Sequence, residues 1–237
     1  MADRRIRIID FETTGMEPPA VVIEYGLCDL ADDGSGWKVS EPRATLYGAE
    51  RIPPEVRAVH HIGPAEIAGL APFDPASLWS GAQTCGVAVV AAHNLAFEAR
   101  FYGEAALPVL CTLKAALRVW PEAPAHNNGT LRYWLEDRGL IAPDHAKTQP
   151  PHRAGPDAYV TAHILKALLE AGASGQDMVA WAKEPRFLPR CPIGDPWRGK
   201  PWAEVDDGFV RWITTKQGMD PEIVWNARRE LERRAGR

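Results

Sequence analysis

Runs and alternations of apolar residues divide this chain into segments before any one residue is singled out. Residues 6–11, IRIIDF, carry enough β-branched side chains to predict a strand, and residues 21–30, VVIEYGLCDL, predict a second after Pro18 and Pro19. The Asp and Gly content of residues 32–36 marks a hairpin turn, so WKVSEPRATL, residues 37–46, is expected to return as a third, antiparallel strand. Between residues 53 and 81 the pattern breaks into short helical pieces interrupted by Pro and Gly. The unbroken apolar run at residues 87–92 predicts a buried strand. Asn94 is then a candidate N-cap for a helix through LAFEARFY, in which Phe97 and Phe101 share one face.

A short strand over residues 109–111 precedes helices predicted at 112–119 and 130–139. The next helix starts near Gly155 and Pro156, where Pro suits a first turn, and ends near Gly172. Its apolar stripe is Ile164, Leu165, Leu168 and Leu169, and Asp157 falls on that same core-facing stripe. A solvated acid does not belong there. A further helical piece covers residues 176–183, followed by the Pro-crowded stretch EPRFLPRCPIGDPWRGKPW. The last segment, DPEIVWNARRELERR, opens with an Asp cap and Pro at the first helical position, and aligns Ile223, Ala227 and Leu231 on one face. The expected division is a body of residues 1–184 and a small C-terminal module of residues 185–237.

With 237 residues, 46% hydrophobic and 24% charged, the chain can bury a core without staples, which excludes long disorder and fibrous repeats. Its four cysteines form no CxxC pair, so neither a zinc ribbon nor a disulfide framework is expected. The apolar run at 87–92 is far too short to cross a bilayer, and no apolar leader opens the sequence, so the cytoplasm is the expected location and no membrane partner is expected. The net charge is -4, unevenly spread. From Arg186 onward Lys and Arg number 11 against 8 acids, a net of +3, while the preceding part nets -7. An acidic body suits metal binding and a basic tail suits a polyanion.

Asp10 and Glu12 stand two apart on the first strand, so both carboxylates leave one face, roughly 6 to 7 Å apart at the backbone. Ile6 and Ile8 lie on that face too, which therefore runs from apolar groups into two like charges; a divalent cation would reconcile them. Glu98 sits in the first turn after the 87–92 strand, near Asp10 if the two strands run side by side. In HRAGPD, residues 152–157, His152 occupies a loop and Asp157 the first helical turn beyond it. Carboxylates are the hard oxygen ligands preferred by Mg²⁺ or Mn²⁺, and two such ions about 4 Å apart can hold the attacking and leaving oxygens of a phosphodiester in line. A histidine beside them is suited to deprotonate water. His126, His145 and His163 have no assigned chemistry.

In this order, Asp10-x-Glu12 with Thr13-Thr14-Gly15, then HNxxF with an acid, then HxxxxD, resemble the three motifs of the DEDDh 3′ to 5′ exonucleases. AVHHI at 58–62, CTLKAALRVWP at 111–121 and RGKPWAEVDDGFVRWI at 198–213 are similar to segments of bacterial members that carry a small C-terminal module. The resemblance implies an α/β, ribonuclease-H-like mixed five-stranded sheet flanked by helices, two Mg²⁺ or Mn²⁺ ions, and release of nucleoside 5′-monophosphates. It also implies that Asp10 bridges both ions, that Glu12 and Asp157 hold the ion carrying the nucleophilic water, that Glu98 serves the second, and that His152 is the base. Thr13, Thr14, Met16, His60, His93 and Asn94 are the substrate-contact candidates. The family has Asp where this chain has Glu98, an extra methylene that displaces the carboxylate by about 1.5 Å.

The expected partner is a DNA 3′ end, single-stranded or overhanging, in a DNA repair or end-processing setting, with a monomer or homodimer as the working unit. Two other readings stay open: an exoribonuclease acting on RNA ends, since the 2′-hydroxyl is met by backbone and small side chains, and a nucleic-acid-binding scaffold weakened in turnover by Glu98. Trp197, Trp202, Trp212 and Trp225 either stack bases or build the core of the small module.

Overall fold

The computed structural model describes residues 4–236; the opening residues on which the leader reading partly rests lie outside it. Two long strands form the first hairpin, β1 (Arg4–Thr13) and β2 (Val22–Asp32), antiparallel through their whole length. β3 (Trp37–Val39) and β4 (Arg43–Leu46) both pair with the outer edge of β2, β3 against Leu30–Asp32 and β4 against Glu24–Leu27. The expected third strand is thus two. Pro42 interrupts it where a ladder donor would be needed, and the Ser40 N–H and hydroxyl turn instead to Asp29 O and Asp29 N at 2.9 Å each.

Three helices follow, α1 (Pro54–His60), α2 (Pro64–Ile67) and α3 (Pro75–Thr84), and lead to β5 (Val89–Ala92), which runs parallel to β1. α4 (Leu95–Glu98) is a single turn rather than the longer helix expected. Asn94 occupies its N-cap position without making a side-chain cap bond, while Phe97 and Phe101 still pack at 5.2 Å. β6 (Val109–Cys111) lies parallel to β5 and passes directly into α5 (Thr112–Val119). The sheet order is β3-β2-β1-β5-β6 with β4 beside β2, six strands in place of the five expected. It remains a mixed sheet flanked by helices.

α6 (Asn128–Glu136) is capped by the Asn127 carboxamide, which accepts from Thr130 N. α7 (Ala154–Glu170) crosses the sheet and is followed by α8 (Gly175–Lys183), capped by Ser174. The two faces of β1 feed two cores. Ile6 and Ile8 join Cys28, Leu30, Ala91 and Leu110 beneath α5 to α8, while Ile9 and Phe11 face Trp79, Leu95 and Phe101 on the other side. Each fully buried aliphatic side chain here contributes about 1.5–3 kcal/mol.

The last segment holds a helix that the sequence reading passed over, α9 (Asp207–Thr215), and α10 (Pro221–Ala235). Asp206 and Asp220 cap them, accepting from Phe209 N and Glu222 N. Their apolar faces close on a separate small core of Cys191, Trp202, Val205, Val210, Ile213 and Ala227. Among the described residues, no helix is long and apolar enough to cross a membrane.

Candidate active site

Strand register places the acids. On the face beneath α7, β1 presents Ile6, Ile8, Asp10 and Glu12, and the residues opposite them on β2 are Leu30, Cys28, Gly26 and Glu24. The apolar pairs stop where α7 begins. Gly26 is the reason the helix can come so close: a Cβ at that position would lie 2.0 Å from the carbonyl carbon and oxygen of Ala154. The first turn of α7 therefore rests almost on the sheet backbone and delivers Asp157 to Asp10 and Glu12. One carboxylate oxygen from each of these three residues falls within 4.8 Å of the others.

Glu98 stands outside that trio at the end of α4, only 3% exposed, and its Oε2 has no hydrogen-bond partner. Burial pushes its carboxyl up to about 8. Glu12 is likewise held near 8, by burial first and then by the charges of Asp157 and Glu24. Asp10 is driven well above the usual carboxylate range by burial, with Asp157, Glu12 and Glu98 adding to the effect. The Asp157 carboxyl is also raised by burial, against the opposing pull of His152. Four acids in one partly dry place oppose their own ionisation, and each would be relieved by a cation. The donor set is all hard oxygen, and the unpaired Glu98 oxygen is a ligand atom without a partner, so the residues fit a divalent metal ion.

His152 sits just before α7 with φ +58, a left-handed backbone conformation uncommon for a residue with a side chain. Its backbone N–H donates to Asp157 Oδ2 at 3.1 Å, tying the loop to the helix, while the residue itself is exposed. The neighbouring Arg153 is fixed by Glu24, a residue the sequence reading did not single out. Arg153 Nε donates to both Glu24 oxygens at 3.1 and 3.0 Å, and Arg153 Nη2 to Oε1 at 2.6 Å. Glu24 Oε2 also accepts from Ala154 N at 2.8 Å, which satisfies one of the free donors at the start of α7. A Glu two residues before a Gly, on the same face of an otherwise apolar strand, was the available signal for this clamp.

The candidate substrate contacts fall into two groups. The Thr13 hydroxyl donates to Gly15 O at 2.6 Å and the Thr14 hydroxyl accepts from Val21 N at 3.0 Å, so both close the turn after β1. Met16 beyond it is 70% exposed, with its carbonyl held by Arg100 Nη1 at 2.7 Å, and Asn94 is exposed. The two histidines, by contrast, are buried. His93 Nε2 donates to His126 O at 2.7 Å, which leaves Nδ1 to accept from the Thr112 hydroxyl at 2.9 Å, and burial drops its pKa to about 4. Its ring pins the β5–α4 corner to the start of α5. His60 Nδ1 accepts from Ile62 N at 2.9 Å, and its Nε2 is buried without a partner.

No protein-family model matches the chain. It is 28% identical over 242 aligned residues to exodeoxyribonuclease 10 of Escherichia coli K12, an alignment covering 96% of this chain and 99% of that protein. Among solved structures it is similar to exonuclease X in complex with 5′ overhanging duplex DNA, with a TM-score of 0.59 and 28% identity over 75% of this chain and 99% of that one. A full-length 3′-exonuclease shares the fold at a TM-score of 0.53 and 17% identity, over 71% of this chain and 61% of that one. The resemblance read from the three motifs and the ribonuclease-H-like fold it implied are both borne out.

Proposed function

We propose, for a homologue of exodeoxyribonuclease 10, metal-dependent 3′ to 5′ exonuclease activity that removes nucleoside 5′-monophosphates from DNA 3′ ends, single-stranded or overhanging. The observation that carries it is the convergence of Asp10, Glu12 and Asp157 within 4.8 Å, on a chain with that similarity. In this reading Asp10, Glu12 and Asp157 hold one Mg²⁺ or Mn²⁺ ion, and Asp10 with Glu98 holds a second. A divalent ion so placed lowers the pKa of a coordinated water and offsets charge on the phosphoryl oxygens.

The protein's own groups do the rest. His152, at the mouth of the site, takes the proton of the attacking water, and its loop is located by the N–H bond to Asp157. The Glu24–Arg153 clamp holds the start of α7 so that Asp157 meets Asp10 without searching, which is a positional contribution to the rate. Met16, Thr13, Thr14 and Asn94 border the terminal nucleotide. The Glu98 side chain, longer by one methylene than the family's Asp, favours Mn²⁺ with its longer bonds over Mg²⁺. Residues 1–184 form the catalytic unit and residues 185–237 an accessory module, working in the cytoplasm on ends exposed by repair or processing.

The test is mononucleotide release from 3′-overhang DNA, blunt DNA and single-stranded RNA in Mg²⁺ and in Mn²⁺, with Asp10→Ala as control. Release from DNA that Asp10→Ala abolishes is the expected result. Release from RNA alone would move the substrate class to RNA, and binding without release in either metal would leave a scaffold rather than an enzyme.

A further inference from the structure

The C-terminal module carries a feature that the catalytic reading does not use. On the outer side of α9, Phe209 and Trp212 stack with ring centroids 5.3 Å apart and planes 23° from parallel, and Trp197 continues the row at 6.4 Å and 36°. Trp212 is 44% exposed. Its neighbours Val210 and Ile213 point into the small core, so the exposed indole is not needed to complete that core. Gly194 seats the middle ring: its φ is +74, and a Cβ there would lie 2.3 Å from Phe209 Cζ. The row is therefore built into the module.

Each end carries a cation. Lys200 Nζ lies 5.1 Å from the Trp197 ring centroid and Lys216 Nζ 5.9 Å from that of Trp212. Among the described residues, the ion pairs of this segment run through Arg186, Arg211, Arg233 and Arg234, and none includes Lys200 or Lys216. Near-parallel aromatic faces with ammonium groups at both ends match a strand of unpaired bases on a phosphate backbone, because every base offers a π-face and every linkage a negative charge. A protein partner would be expected to leave a broader apolar face and to neutralise the lysines with its own acids.

We propose that Trp197, Phe209 and Trp212, with Lys200 and Lys216, form a stacking platform for single-stranded nucleic acid. This deepens the exonuclease reading and rests on it for the identity of the ligand. The experiment uses the full chain with Ca²⁺ in place of the catalytic ion and follows anisotropy of a labelled oligothymidine of about 20 nucleotides. Trp212→Ala is expected to weaken binding on the order of tenfold. Lys216→Glu, which removes no packed ring, is expected to weaken it several-fold at low salt, with the difference shrinking as salt rises. Both variants are expected to hydrolyse the p-nitrophenyl ester of thymidine 5′-monophosphate, which fills only a catalytic site, at the wild-type rate.

Unchanged oligonucleotide affinity in both variants would overturn the platform. A Trp212→Ala variant that also lost ester hydrolysis and melting temperature would be misfolded, and Lys216→Glu then decides alone. If the wild type fails on the ester with Mg²⁺ and Mn²⁺ while the variants still lose strand binding, the platform stands and the catalytic reading falls.

Discussion

Replacing Gly26 by alanine is the smallest change that should separate the two halves of the acidic site. The added methyl would sit 2.0 Å from the Ala154 carbonyl and 2.5 Å from Gly155 N, where ordinary contact begins near 3.4 Å, so the backbone of α7 or β2 must yield by roughly 1.4 Å. Both partners are backbone in regular elements, and neither can swing aside as a side chain would. Overpacking of this kind costs about 3 kcal/mol, the upper end of the usual range. For a chain of this size that is a fall in Tm of about 6 to 12 °C. The displacement is passed to Asp157, three residues beyond Ala154, and through the Ala154 N–H to Glu24. Misplacement of a reacting group by about 1 Å costs about 100-fold in rate.

The assay is thermal melting with and without Mn²⁺, together with mononucleotide release from a 3′-overhang duplex. Gly81→Ala provides the control. Gly81 lies inside α3 with nothing within 4 Å of a Cβ, so alanine there should stabilise by about 0.5–1 kcal/mol through helix propensity and leave the rate alone. A Gly26→Ala protein with the melting temperature and rate of the wild type would refute the claim that close approach of α7 assembles the site.

Three further outcomes follow from the same geometry. Glu98 has a folded carboxyl pKa of about 8 against an ordinary 4.5, so its contribution is fully present below pH 4.5 and is lost as pH rises toward 8. By pH 7 in chelator this amounts to about 3 kcal/mol, which Glu98→Gln should recover, flattening urea midpoints between pH 5 and 8; parallel slopes in the two proteins would count against it. His93, held neutral with a pKa of about 4, stabilises the fold above its ordinary 6.5 and loses that contribution as pH falls. Its ring C–H resonances should titrate near pH 4, and a midpoint near 6.5 would show that the Thr112–His126 bracket is not closed. A double-mutant cycle between Glu24→Gln and Arg153→Leu should give a coupling of about 2 kcal/mol with a loss of kcat in each single variant, whereas additive effects would remove the clamp from the account.

Much of the acidic site was legible because its parts are local. Asp10 and Glu12 share a face by the two-residue repeat of a strand, and Asp157 announced itself by falling on the apolar stripe of a helix. His152 is tied to Asp157 across the five residues that separate them, as the spacing implied. The candidates that behaved differently depend on neighbours far along the chain. Nothing near His93 in sequence says that Thr112 and the carbonyl of His126 bracket its ring, and the short α4 follows from how the turn after Glu98 packs rather than from helix propensity. The split of the third strand was signalled by Pro42, yet both halves pair with β2 only because that strand is long enough to host them side by side.

What the amino-acid order determined by itself was the set of alternating and helical segments, the acids within them and the cap at Asp220, all consequences of steric preferences acting over a few residues. Tertiary structure alone decided that α7 lies close enough on Gly26 to bring Asp157 to Asp10, that Glu24 holds Arg153 across 129 positions, and that three aromatic rings of the tail line up at its surface. Such contacts depend on where separate elements meet, and that is fixed by packing the whole core at once, which no short stretch of sequence encodes.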